Sequence, residues 1–175
     1  ASAQDDAAPA LDAAVEAGRP GPHHKILQVL EGRFEASFHI WMAPGDPPLS
    51  TRGTIERTSV FDGRYLRESV RTADEGIGAF EGLGFIGYDN AEGRYVNVWM
   101  DSMSTGIALE YATYDVGQRT FRFVGMHRDP ATGRVVHTRS TFDVSNPDRQ
   151  ILTSYATGPD GAEYKSFEGV AERIR

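Results

Sequence analysis

From Gly32 onward the chain consists of short runs with a period of two, separated by recurrent turn signals. The runs are rich in Val, Ile, Thr, Phe and Tyr, which favour β-strands, and turn residues such as Asp62-Gly63 and Asn90 to Gly93 lie between them. This pattern predicts about ten strands. They are expected near residues 33–41, 52–60, 64–72, 82–88, 94–101, 106–114, 119–127, 134–144, 150–157 and 163–174.

No second helical segment of useful length interrupts these strands, so the crossovers that parallel pairing needs are missing. Sequential strands should therefore pair as antiparallel hairpins. An open sheet of that size would leave long unpaired edges, which closure removes. The sequence predicts an all-β fold, a single antiparallel up-and-down β-barrel of about ten strands, wide enough to enclose a cavity.

Ahead of the barrel, residues 1–22 are rich in Ala, Asp and Pro and lie outside the strand pattern. We expect a flexible N-terminal arm there, with a short helix near 10–18 that Gly18 would end. The following segment, "HHKILQVLEG", has apolar residues at helical spacing and predicts a short helix at the start of the barrel domain, residues 23–175.

Composition excludes several functions of this 175-residue chain. The net charge of -7 argues against nucleic-acid binding, and no apolar run approaches the ~20 residues of a membrane-spanning helix. There is no cysteine, which excludes disulfides, thiolate metal sites and a cysteine nucleophile. The beginning Ala1-Ser2-Ala3 has the A-x-A form found near signal-peptide cleavage sites, and we expect a periplasmic or secreted protein.

Alternation along each strand assigns side chains to the two faces of the barrel wall. Phe34 and Phe38 should face inward on the first strand, and Leu66 and Val70 on the third. Glu68 then lies between two inward residues, and a buried carboxylate must be paired, hydrogen-bonded or neutral. His127 shares the inward row of its strand. The arginines should gather outside: Arg57, Arg67, Arg71, Arg122 and Arg139.

The strand at 94–101 carries two rows, either of which could face the interior. One is aliphatic, with Val96 and Val98, and the other is polar and aromatic, with Trp99 and Asp101. Ligand pockets combine apolar or aromatic walls with a few polar groups, so the second row suits a cavity. We predict these ligand-binding residues: Glu68, Tyr88, Trp99, Asp101, Tyr111 and His127.

Other short motifs are poor signals. The run "GLGFIG", 82–87, matches a dinucleotide-binding pattern in letters, but a strand rather than a helix follows it. His23 and His24 are adjacent on a helix and diverge, so we expect no metal site. No cofactor is predicted.

Three segments of the chain resemble a bacterial domain-of-unknown-function family, number 1579. They are "HHKILQVLEGRFEA", "GYDNAEGRYVNVWMDSMSTG" and "GPDGAEYKSFEGVAERIR". The first and last are also similar to the calycin pattern of lipocalins, fatty-acid-binding proteins and nitrobindins, in which a Gly-x-Trp on the first strand packs near an Arg on the last. Here Phe34 stands in place of the Trp. That resemblance implies contact between Phe34 and Arg173, and His137 as the nearest candidate for a haem ligand.

The calycin resemblance implies a barrel that binds a small, largely apolar molecule, and this is the leading functional hypothesis. The alternative is a cofactor-independent enzyme that uses Glu68 in the cavity for proton transfer, isomerisation or cyclisation. A third hypothesis is a structural or interaction role through the outer face of the barrel. A second copy of the chain, forming a homodimer, is a candidate partner.

Overall fold

The computed structural model describes residues 3–72, 78–129 and 131–175. Ten antiparallel strands form a closed barrel in which each strand pairs with its sequence neighbours and β1 pairs with β10. The strands are β1 (Gly32–Ile40), β2 (Leu49–Val60), β3 (Tyr65–Thr72), β4 (Glu81–Asp89), β5 (Arg94–Asp101), β6 (Ala108–Asp115), β7 (Thr120–Arg128), β8 (Val135–Asn146), β9 (Arg149–Thr157) and β10 (Glu163–Arg173). The predicted all-β, up-and-down barrel is confirmed.

Helices precede the barrel. α1 (Ala3–Ala17) is longer than the predicted 10–18 helix, and α2 (Pro22–Leu27) continues into a 3₁₀ turn, Gln28–Leu30. Leu27 and Leu30 are buried against one end of the barrel and close it. We call α2 and the 3₁₀ turn the helical cap, and this end of the barrel the capped end. No helix in the described ranges is long and apolar enough to cross a membrane.

The core fills the capped end and part of the barrel's length. One cluster beneath the cap includes Leu66, Tyr95 and Phe121, and a second includes Phe34 and Val70. Inward and outward residues alternate as the sequence predicts on β1 and β3. Beyond these clusters the interior is a cavity that reaches the other rim, which we call the mouth.

The structure decides the orientation of β5. Its polar and aromatic row faces inward, since Tyr95 is buried in the core and Trp99 lines the cavity, where it lies beside Gly84 of β4. A Cβ atom at Gly82 would lie 2.2 Å from the Trp99 ring, so this glycine makes room for the indole. The glycines of "GLGFIG" therefore serve packing within a strand.

Arg57 corrects one sequence expectation. Predicted among the outer arginines, it lies inside the barrel with only 6% of its surface exposed. On β2 it shares the inward row with Thr51 and Ile55, both buried. Within the predicted strand 52–60, Ile55 is the single large apolar residue of that row, so alternation alone indicated its direction weakly.

Candidate functional site

The barrel interior holds a cavity of about 430 Å³ between the core and the mouth. Most of its wall is apolar. Representative wall residues are Phe38, Ile55, Val70, Trp99, Leu152 and Phe167. They come from strands all round the barrel, so a molecule inside would be surrounded by side chains.

A polar cluster forms the floor of the cavity. Nε of Arg57 donates a hydrogen bond to Oε2 of Glu68, and Nη1 donates to Oε1 of Gln150 at 2.7 Å. The guanidinium carbon lies 5.3 Å from the ring centroids of both Phe34 and Phe142, so the cation is held between two aromatic rings. Arg57 and Glu68 thus compensate each other's charge within the cavity.

The same cluster is tied to the helical cap. Nε2 of Gln150, a fully buried residue, donates to the carbonyl oxygens of Val29 at 3.3 Å and Pro147 at 3.2 Å. Among described residues, no hydrogen-bond partner occupies Nη2 of Arg57. The floor therefore keeps the Nη2 amino group, with its two N–H donors, available for a hydrogen bond to a bound molecule.

A second polar pair lies on the opposite wall. Nδ2 of Asn97 donates to Oε2 of Glu110 at 3.0 Å, and both residues line the cavity. Burial raises the pKa of the Glu110 carboxyl, partly opposed by the Asn97 hydrogen bond. Sequence reasoning missed Glu110, although its place between Ala108 and Ala112 in the predicted strand 106–114 could have indicated an inward carboxyl.

Trp99 is positioned by its neighbours. Its Nε1 donates to Oδ2 of Asp101 at 3.1 Å, while Oδ1 of Asp101 accepts from the backbone N of Met103 at 3.0 Å. Phe80 stacks on the indole with 6.5 Å between centroids. Asp101 itself does not line the cavity; it orients the indole that does.

The other predicted site residues lie elsewhere. Tyr88 belongs to the packing under the cap, stacked 4.1 Å from His23. Tyr111 is on the outer face of β6, with the Arg94 guanidinium 3.6 Å from its ring centroid. His127 shares the inward row of β7 but is exposed at its mouth end. Of the six predicted residues, Glu68 and Trp99 line the cavity, and their role in binding stays a prediction.

Candidate metal ligands lie apart from one another in the described part of the chain. In the ranges that the structure describes, no three His, Cys, Asp or Glu side chains come together as a metal site. His137, the residue matched to a haem ligand by resemblance, is exposed on β8 outside the cavity wall.

A larger depression of about 720 Å³ lies on the outer surface, where Gly18 approaches Phe85 and Val96. It is a groove between the end of α1 and the barrel wall. Its lining comes from the helical segment and from β3, β4, β5 and their turns, whereas strands all round the barrel line the interior cavity, so we place the candidate site inside.

Comparison with known proteins identifies a family. The family model described as "Protein of unknown function (DUF1579)" matches residues 19–173. The crystal structure of Rv2717c from M. tuberculosis is similar, with a TM-score of 0.63 and 15% identity over 90% of this chain and 100% of that chain. At that identity the likeness shows the barrel fold. No curated protein matches.

A further similar structure is that of EF1p2_mFAP2b bound to DFHBI. Its TM-score is 0.40 at 12% identity, over 86% of this chain and 98% of that chain.

Proposed function

The chain belongs to the DUF1579 family of proteins of unknown function, and we propose that it binds a small, largely apolar and uncharged molecule inside its barrel. The observation that carries this proposal is the cavity of about 430 Å³ with an apolar wall and a polar floor. Small-molecule sites are typically concave, mostly apolar, and equipped with a few polar groups that orient the ligand.

The preference for an uncharged molecule follows from the floor. Arg57 already has Glu68 as its counter-ion, so a charged ligand would bring a charge with no partner into an apolar space. The free Nη2 of Arg57 can donate to a hydroxyl or carbonyl oxygen. A neutral ligand with one such group at its end would satisfy the floor and leave its apolar body against Trp99 and Phe167.

Binding can be tested with Nile red, a neutral apolar dye whose emission rises in apolar surroundings. We expect the wild-type protein to bind it with a single saturating site, and decan-1-ol to displace it at lower concentration than decanoate at pH 8. Native mass spectrometry of the freshly purified protein should also show a co-purified small molecule.

The matched variants lie on one strand. Ala108→Trp places an indole in the cavity wall near the mouth and should abolish Nile red binding, while Thr113→Trp on the exposed outer face of β6 should not. Equal binding by both variants would show that the dye sits outside the barrel. Tighter displacement by decanoate than by decan-1-ol would overturn the uncharged ligand class.

A second candidate function, proton transfer on a bound molecule, is favoured by Glu110. It is a cavity-lining carboxyl whose pKa is raised by burial, as in many catalytic acids and bases. The predicted use of Glu68 has less support, because Glu68 is engaged with Arg57. Deuterium incorporation from D₂O into a co-purified ligand, lost in Glu110→Gln, would test it. The predicted export of the protein stays a proposal beside these.

A further inference from the structure

Exposed apolar side chains cluster on the outer face of the barrel beside the mouth. Ile107, Leu109 and Met126 are 70%, 43% and 63% exposed, and Val124 and Val135 belong to the same surface. Glu110 pairs with Gly125 across β6 and β7, so the next residues, Leu109 and Met126, are neighbours on the outer face. Val135 pairs with Arg128 across β7 and β8 and extends the same surface. We call these apolar residues the mouth face. A barrel wall that faces water normally carries polar residues in its outward row.

Positive charge is concentrated in the same strands. Residues 119–139 contain five arginines and one aspartate, a formal charge of +4 in a chain whose net charge is -7. Arg119 and Arg122 lie towards the capped end of β7, so the arginines closest to the mouth are Arg128 and Arg134. The aspartate, Asp129, uses Oδ1 to accept hydrogen bonds from the backbone N of Ala131 at 2.8 Å and of Thr132 at 3.1 Å. It therefore stabilises the β7–β8 turn, and it offsets one of the five positive charges.

Three of these arginines, Arg119, Arg128 and Arg134, form no ion pair with a carboxylate among the described residues, and the last two lie at the mouth end. Nη1 of Arg128 donates to the carbonyl oxygen of Gly133 at 3.0 Å, and Nη2 of Arg134 donates to that of Gly158 at 3.0 Å. Arg139, further from the mouth, does have one, since its Nε donates to Glu163 at 2.8 Å. Arg128 and Arg134 thus lie at the mouth end of the β7–β8 hairpin, next to Val135, and with Asp129 between them residues 128–134 carry a formal charge of +1.

We propose that the mouth face docks on the surface of an anionic phospholipid bilayer. Apolar side chains can enter the interfacial region while Arg128 and Arg134 contact lipid phosphates, the two attractions that hold peripheral proteins on membranes. A second copy of the chain fits less well, because two convex barrel walls meet over a narrow area and like-charged hairpins would approach each other.

The position of this face suits the cavity, since a docked barrel would hold its mouth near the lipid surface. The proposal does not depend on the identity of any ligand, and it is tested without one. Nor does it involve crossing the membrane: only side chains at the rim and on the adjoining outer wall enter the interface.

The test is co-sedimentation with vesicles of phosphatidylcholine, alone or mixed with phosphatidylglycerol. Wild-type protein should sediment with the anionic vesicles and stay in solution with the neutral ones, and added salt should release it. The variant Ile107→Asp/Met126→Asp should reduce the bound fraction at least about tenfold. Arg128→Glu/Arg134→Glu should reduce it by a similar factor.

Matched controls lie at the capped end. Phe61→Asp/Val116→Asp changes two side chains that are 71% and 75% exposed, and Arg33→Glu/Arg67→Glu changes two exposed arginines. Both controls should bind vesicles as the wild type does. Because the substituted residues are exposed, thermal melting should show that all four variants remain folded.

Since the chain has no cysteine, a single Ile107→Cys or Val116→Cys can carry an environment-sensitive dye. Its emission should shift to the blue on anionic vesicles only from position 107. Absence of vesicle binding, or equal losses in the controls, would overturn the proposal. So would sedimentation of the free protein as a dimer that Ile107→Asp/Met126→Asp dissociates, because a second copy would then cover the mouth face.

Discussion

The Arg173 guanidinium lies over the ring of Phe34, with 4.6 Å between its central carbon and the ring centroid. The two residues face each other where β10 closes on β1. Arg173 also donates from Nη1 to the carbonyl oxygen of Glu31 at 2.6 Å and from Nε to Oδ1 of Asp148 at 2.9 Å. One side chain therefore connects three parts of the fold: the β1–β10 pairing that closes the barrel, the helical cap and the β8–β9 turn. The contact between Phe34 and Arg173 predicted from the calycin resemblance is confirmed.

Phe34→Ala should lower the free energy of unfolding by about 3–5 kcal/mol, because the ring is fully buried and its removal leaves a cavity. Urea denaturation followed by circular dichroism measures the change. Phe61→Ala, at a position 71% exposed, is the control and should change stability by less than about 0.5 kcal/mol. A small effect at Phe34 would mean that the Arg173 hydrogen bonds, rather than burial of the Phe34 ring, stabilise the closure of β10 on β1.

Glu68→Leu should destabilise the fold by about 3 kcal/mol, the lower end of the range for breaking a buried ion pair, since Glu68 is partly exposed. The loss arises because Arg57, which is 6% exposed, would stay buried without its counter-ion. The double variant Arg57→Met/Glu68→Leu should recover most of the loss. A denaturation double-mutant cycle measures the coupling, and additive losses would contradict it.

Glu110→Gln should stabilise the protein more at pH 8 than at pH 4.5. Burial raises the pKa of Glu110, so the folded state holds a proton that the unfolded state releases between the ordinary and the raised value. The wild type therefore loses stability as pH rises through this window, whereas glutamine has no charge to bury. Melting temperatures of both proteins across this range provide the comparison. A difference independent of pH would place the charged carboxylate in solvent.

Removing residues 1–20 should lower the melting temperature by less than about 4 °C, the shift expected for roughly 1 kcal/mol in a domain of this size. Residues 9–20 are exposed, and their described ties to the barrel include hydrogen bonds from Asn90 to the carbonyl oxygens of Ala17 and Arg19. Deletion through Gln28 is the comparison. It removes the buried Leu27 and should destabilise the barrel far more. Similar losses from both deletions would show that the arm is part of the fold.

Local pattern was enough for the barrel itself. The period of two, the turn residues and the lack of helical crossovers determined the strand number and antiparallel order. On β1 and β3 the contrast between Phe34 or Leu66 and their charged neighbours also determined the inward row. There, one face is strongly apolar, and reversing it would expose that whole face to water.

Tertiary structure decided the faces where the two rows of a strand are chemically alike. On β5 both rows could be buried, and the space above Gly82 and Gly84 admits Trp99 to the interior. On β6 the two rows are also chemically alike. The sequence therefore predicted Tyr111 as a site residue, whereas the structure places Tyr111 outside and Glu110 inside. Arg57 is inside because Glu68, Gln150 and two aromatic rings from four other strands meet around its guanidinium. Alternation relates neighbours along one strand, whereas compensation of a buried charge depends on residues that only the closed barrel brings together.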